Sequence, residues 1–209
     1  MSNYEKWTDG NEPDAPVACC LLISRNKDNA DVPGFRERRR SWLAPFAGVD
    51  GMLRDRLGRF AYDGVPGELC RAYRSVNPRD PVVVKAKLAQ LLTGDVIRDH
   101  LTRQPRTVDV TRIDAAACGL AAGPDCAMGR RWLIDDDTPH VSDADDEARF
   151  TAIAGACGVG RDELAVTSTP HGHAVVVPHG FDTRALLREY PDLTVKRDDL
   201  ILVAWEVSL

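Results

Sequence analysis

From Gly129 onward the sequence alternates strand-sized apolar runs with helix punctuation, in an order that few folds accommodate. RRWLID, Arg130 to Asp135, is a strand that runs straight into three carboxylates, Asp135, Asp136 and Asp137. Ser142 caps a helix predicted over Asp143 to Cys157, with Phe150, Ile153, Ala154 and Cys157 on one side and Gly158 ending it. ELAVTS and HAVVVP follow as strands about the turn TPHG. Asp182 then caps a short helix that stops at Pro191, and DLILVAWEV, Asp199 to Val207, is the last strand. Strand, helix, strand, strand, helix, strand is the split βαβ, or ferredoxin-like, order of an α+β fold.

That order has a chemical consequence. The third strand inserts between the first two, and the fourth pairs with the free edge of the first. Asp135 to Asp137, the hairpin His171 and His173, and the run Lys196, Arg197, Asp198, Asp199 therefore converge at one end of the sheet. Residues two apart on a strand share a face, so Asp135 and Asp137 are candidates to share hard cations such as Mg²⁺ or Mn²⁺. Asp198 or Asp199 would complete that site. Lys196 and Arg197 would neutralise phosphate charge and a histidine would donate to it. An acidic loop after a strand, a turn histidine and a solvated charged face are the plainer readings of the same residues.

Upstream, residues 1–16 read as a flexible polar arm. VACCLLIS, Val17 to Ser24, reads as a strand, and RNKDNADVPG as a loop. Between Phe35 and Arg59 seven arginines face three acids, a local excess of +4, interleaved with Trp42, Leu43, Phe46, Met52, Leu53 and Leu57. This predicts one or two short amphipathic helices whose Arg36, Arg38, Arg39 and Arg40 form a phosphate-facing surface. ELCRAYRSVN is a strand. Asp80 and Pro81 open a helix that Gly94 would close, with a second helix over Asp95 to Thr102. Arg71 and Arg74 would line a nucleotide site beside the sheet.

The net charge of −5 argues against a duplex-coating protein without excluding a local basic groove. No apolar run approaches a membrane span, and the start lacks the pattern of a signal peptide. Six cysteines without an export signal suggest reduced thiols in a cytoplasm. Cys118 and Cys126, with His140 downstream, could belong to a zinc knob, although their spacing is not a standard zinc pattern and no fourth ligand is evident.

The pieces RAYRSVNPRD, RRWLIDDD and TPHGHAVVV resemble the archaeo-eukaryotic primase superfamily, specifically its small phage and plasmid primase-polymerases. The likeness spans roughly residues 70–207. It implies an RRM-like catalytic sheet, with Asp135 and Asp137 as the paired metal-binding acids. The hairpin Thr169 to His173 matches the segment that presents a histidine to the incoming nucleotide, either as Thr169-Pro170-His171 or through His173. The third acid would fall at Asp198 or Asp199.

The expectation is thus an RRM-like core over 129–209, with residues 17–128 as an N-terminal α/β extension. Asp135, Asp137, His171, Asp198 and Asp199 are its candidate catalytic residues. Arg71, Arg74, Arg131, His173, Lys196 and Arg197 are candidates for nucleotide binding. The expected ligands are a nucleoside triphosphate with Mg²⁺ or Mn²⁺, and single-stranded DNA or RNA. Two alternatives use the same scaffold: a non-catalytic binder of nucleic acid or of a host or replication protein, and a metal-dependent phosphodiesterase or nuclease.

Overall fold

The computed structural model describes residues 14–102, 112–138 and 142–209, and for 98–100 the backbone alone. The fold is mixed α+β, built on two antiparallel four-stranded sheets. β1 (Val17–Ser24) is buried along nearly its whole length. Such a run needs cover on both faces and neighbours on both edges. It lies between β2 (Arg38–Pro45) and β3 (Leu69–Ser75), and β8 (Leu200–Val207) closes the order β2-β1-β3-β8.

α1 (Val49–Tyr62) buries Val49, Leu53, Leu57 and Phe60, spaced to form one stripe. The stripe packs on Ala18, Cys20 and Leu22, which share one face of β1. On the other face Cys19 packs with Val84 of α2 (Pro81–Thr102) and with Cys118 and Ala121 of α3 (Ile113–Ala121). Leu21 and Ile23, farther along that face, are left for a cleft.

The second sheet has the order β5-β6-β4-β7: β5 (Ala165–Thr169), β6 (Gly172–Val177), β4 (Trp132–Asp136) and β7 (Leu193–Lys196). α4 (Asp143–Cys157) covers one face through Phe150, Ile153, Ala154 and Cys157, joined by Leu186 of α5 (Arg184–Glu189). Ser142 Oγ accepts the Asp145 N–H at the start of α4, and Gly158 ends it at φ 75°. The opposite face carries Leu133, Ala174 and Val176, which meet Val76 and Ile201 in a small apolar seam between the sheets.

The joint between the sheets is the segment after β3. Asn77 holds the Arg131 backbone at both its N–H and its carbonyl, each at 3.0 Å. Arg79 exchanges backbone hydrogen bonds with Val17 and grips Asp198 through both terminal nitrogens, at 2.5 and 2.9 Å.

Three expectations about elements are corrected. RRRSWLAP is the edge strand β2, since its arginines alternate across a sheet edge and do not ride a helix. α2 runs unbroken through Gly94 to Thr102. The fourth strand of the second sheet is the short β7, because the segment 200–207 crosses back to pair with β3.

Candidate active site in the cleft between the sheets

The cleft, about 400 Å³, lies between the uncovered faces of the two sheets. Strand alternation decides which charges enter it. Asp135 and Asp137 line it, while Asp136 points to the helix side and is 2% exposed. Arg149 of α4 holds Asp136 through Nε at 2.8 Å and Nη2 at 3.0 Å, and the Thr138 N–H donates to it at 3.1 Å. Burial alone would raise the Asp136 pKa, but Arg149 and Thr138 outweigh it and hold the carboxyl below its ordinary range. Asp136 therefore anchors the end of β4 on α4, which fixes its two neighbours toward the cleft.

On the same wall, Lys196 Nζ lies 3.0 Å from Asp135 and 3.5 Å from Asp199. Burial pulls its pKa down, yet the two carboxylates prevail and raise it. The β5–β6 hairpin brings in His171. A Cβ on Gly172 would overlap the Asp136 carbonyl oxygen, so only glycine lets the hairpin approach β4 this closely. In register Asp135 faces Ala174 and Asp136 faces His173.

The facing wall is basic. Arg71, 6% exposed, donates to Asp28 at 2.9 Å and reaches His171 Nε2 of the other sheet at 3.2 Å. An arginine can only donate, so Nε2 is the acceptor and the ring proton sits on Nδ1. Arg25 grips the same Asp28 at 2.8 and 3.2 Å, and Arg71 Nε is buried without a partner. Lys27 and Tyr73 complete this wall. Three cations against one carboxylate leave it at a formal +2, whereas Asp135, Asp137 and Asp199 against Lys196 leave the other at −2. The cleft is polarised across its width.

Beyond Asp137 and His171 it opens into a second hollow of about 890 Å³, bounded by Asp143, Asp146 and His173. Lys27, Asp137, Thr169 and His171 border both spaces and form the sill between them.

Of the residues expected to converge, Asp135, Asp137, His171, Lys196, Asp199 and Arg71 do so. The others lie elsewhere for identifiable reasons. Asp198 turns away from Asp199 into the joint, where Arg79 and Asn77 neutralise and bind it. Arg197 stacks over Trp132 at 5.6 Å, outside the cleft. Arg74 lies on the α1 side, paired with Asp50 at 2.5 Å. His173 lies against Phe150 edge-on, with ring centroids 5.1 Å apart. Arg131 is bound through its backbone to Asn77.

In the basic segment Arg38 is tied to Glu68 and the Phe60 carbonyl, which leaves Arg36, Arg39 and Arg40 exposed. Cys118 and Cys126 are buried as free thiols in the α3 layer, and hydrogen bonding to Cys118 together with burial pushes the Cys19 thiol up. His140 lies outside the described residues.

Sequence reasoning missed Arg25, Lys27, Asp28 and Tyr73. A usable signal was present: VACCLLIS runs straight into RNKD, just as WLI runs into DDD. Comparison with family models, with curated proteins and with solved structures found no match. No helix among the described residues is long and apolar enough to cross a membrane.

Proposed function

We propose that the cleft binds a nucleoside triphosphate together with Mg²⁺ or Mn²⁺, and that the protein transfers a nucleotidyl group to nucleic acid in the manner of the primase-polymerases it resembles. The observation that carries this is the polarity of the cleft. An acidic wall suits a hard cation, a basic wall suits a phosphate chain, and the two face each other across a cleft of about 400 Å³.

The donor set fits such a cation. Among the described residues no three His, Cys, Asp or Glu side chains form a metal cluster. Mg²⁺, however, is ordinarily held by one or two carboxylates plus substrate phosphates, with water filling the shell. Asp135 and Asp137 are those carboxylates. Bound there, the cation would supply charge neutralisation at the phosphate oxygens.

The chain's own residues supply the rest. Arg71, fixed by Asp28, and Lys27 hold phosphate charge, and His171 offers its Nδ1–H to a phosphate oxygen. Nucleotidyl transfer joins a 3′-hydroxyl oxygen to the α-phosphorus, breaks the α–β bridge, releases diphosphate and gives the hydroxyl proton to solvent. Two hollows sharing the Asp137–His171 sill suit a reaction with two substrates better than hydrolysis. The strand order β5-β6-β4-β7, with a helix after β4 and another after β6, supports reading the second sheet as the RRM-like core.

The test is incorporation of labelled nucleotide on primed and unprimed single-stranded templates with Mn²⁺. Activity in the wild type and its loss in Asp135→Asn/Asp137→Asn support the reading. Equal activity in both would refute it.

A further inference from the structure

We propose that Lys196 couples cation binding to phosphate binding. Without ligand its ammonium takes the place of a cation between Asp135 and Asp199, and it leaves that place when a phosphate chain offers another partner. The inference rests on the nucleotide-binding reading above and adds an order and an interdependence to it.

Lys196 is the last residue of β7 and pairs with Leu133 in register. Leu133 lies on the same face of β4 as Asp135, so the Lys196 side chain is delivered to the carboxylate by strand geometry. Nζ contacts Asp135 at 3.0 Å and Asp199 at 3.5 Å, with the side chain 34% exposed. Asp137, the other cleft-facing carboxylate just past the strand, makes no contact ion pair among the described residues and meets Arg25 only at longer range. A divalent cation arriving alone would therefore find one carboxylate without a contact partner, and a second already neutralised by a like charge at contact distance.

A phosphate chain changes this arrangement. The four acids and four bases that line the cleft balance formally. A triphosphate chain alone breaks that balance further than the same chain carrying a divalent cation. Lys196 can exchange a carboxylate oxygen for a phosphate oxygen, an equally good acceptor, and so release Asp135. Each ligand then raises the affinity of the other, and by linkage the factor is the same in both directions. Lys196 is a positioning residue in this scheme, since it acts through Asp135.

The probes are Mn²⁺ followed by electron paramagnetic resonance, and inorganic tripolyphosphate in metal-free buffer followed by calorimetry. Both are applied to the wild type, Lys196→Met, and Asp135→Asn/Asp137→Asn. Lys196→Met should bind Mn²⁺ about tenfold more tightly than the wild type in the absence of phosphate, and tripolyphosphate about tenfold more weakly. Met keeps the aliphatic stem. If circular dichroism shows Lys196→Met unfolded, Lys196→Gln carries the same expectation. Unchanged or weaker Mn²⁺ binding in the folded lysine variant, with binding lost in the aspartate variant, overturns the coupling and leaves the cleft reading intact. Absence of Mn²⁺ binding from all three proteins, with nucleotide present or not, overturns both.

Discussion

Asp198→Ala is expected to unfold the protein easily without emptying the cleft. Arg79 is 2% exposed and Asp198 18%, and both terminal nitrogens of Arg79 bond the Asp198 carboxylate. Arg79 Nε already lacks a partner, so the truncation strands a whole buried guanidinium. Breaking a buried pair from one side costs about 3–5 kcal/mol. The partial exposure of Asp198 admits some water, which places the cost near about 3 kcal/mol. A chain of this size has a urea m-value of about 2–3 kcal/mol/M, so the midpoint should fall by roughly 1–1.5 M. The thermal midpoint should fall by roughly 6–12 °C.

Asp199→Ala is the control. Its carboxylate is 45% exposed and its one short bond is to the Leu200 N–H, at 2.8 Å. Its cost should stay within about 1 kcal/mol. The assay is urea unfolding followed by tryptophan fluorescence. An Asp198→Ala midpoint equal to that of the wild type would refute the joint and return Asp198 to the list of cleft candidates.

Three further outcomes follow from the geometry. Asp136→Asn removes a carboxylate whose folded pKa lies below its unfolded value, so it costs about 2 kcal/mol above the ordinary carboxylate range. That difference should shrink as pH falls through the lowered value, as urea midpoints measured from pH 7 to pH 3 would show. Gly172→Ala forces a Cβ onto the Asp136 carbonyl at φ 157°, and should cost about 2 kcal/mol or more in unfolding experiments while displacing His171. In ¹⁵N spectra of the histidine rings, His171 should show an unprotonated Nε2 that accepts a hydrogen bond. Arg71→Met should move that signal and leave His173 unshifted.

The parts of the fold that could be read from sequence are those where local chemistry and burial agree. β1 lies at its predicted bounds because an apolar run of that length has few other uses. α4 runs from Asp143 to Cys157 between the caps Ser142 and Gly158, as predicted, because cap, stripe and left-handed glycine all agree. β2 was hidden because an edge strand tolerates arginine on both faces, so hydrophobic periodicity carries no trace of it. β7 is four residues long, and nothing local tells LTVK from a turn. That β8 would leave the second sheet for the first is a property of the whole chain, visible only in its pairing with β3.

The site divides in the same way. The acids at the end of β4 were legible because alternation alone separates Asp135 and Asp137 from Asp136. The adjacent Asp198 and Asp199 were not separable, since the turn after β7 and the buried Arg79 decide which of them faces the cleft. The basic wall went unread because Asp28 and Arg71 are 43 residues apart and meet only across paired strands.

The most direct measurement is Mn²⁺ binding in the presence of a non-hydrolysable nucleoside triphosphate, by electron paramagnetic resonance, on the wild type and Asp135→Asn/Asp137→Asn. The wild type should hold a protein–Mn²⁺–nucleotide complex and the double variant should not. Equal signals from the two proteins would contradict the assignment of the cleft.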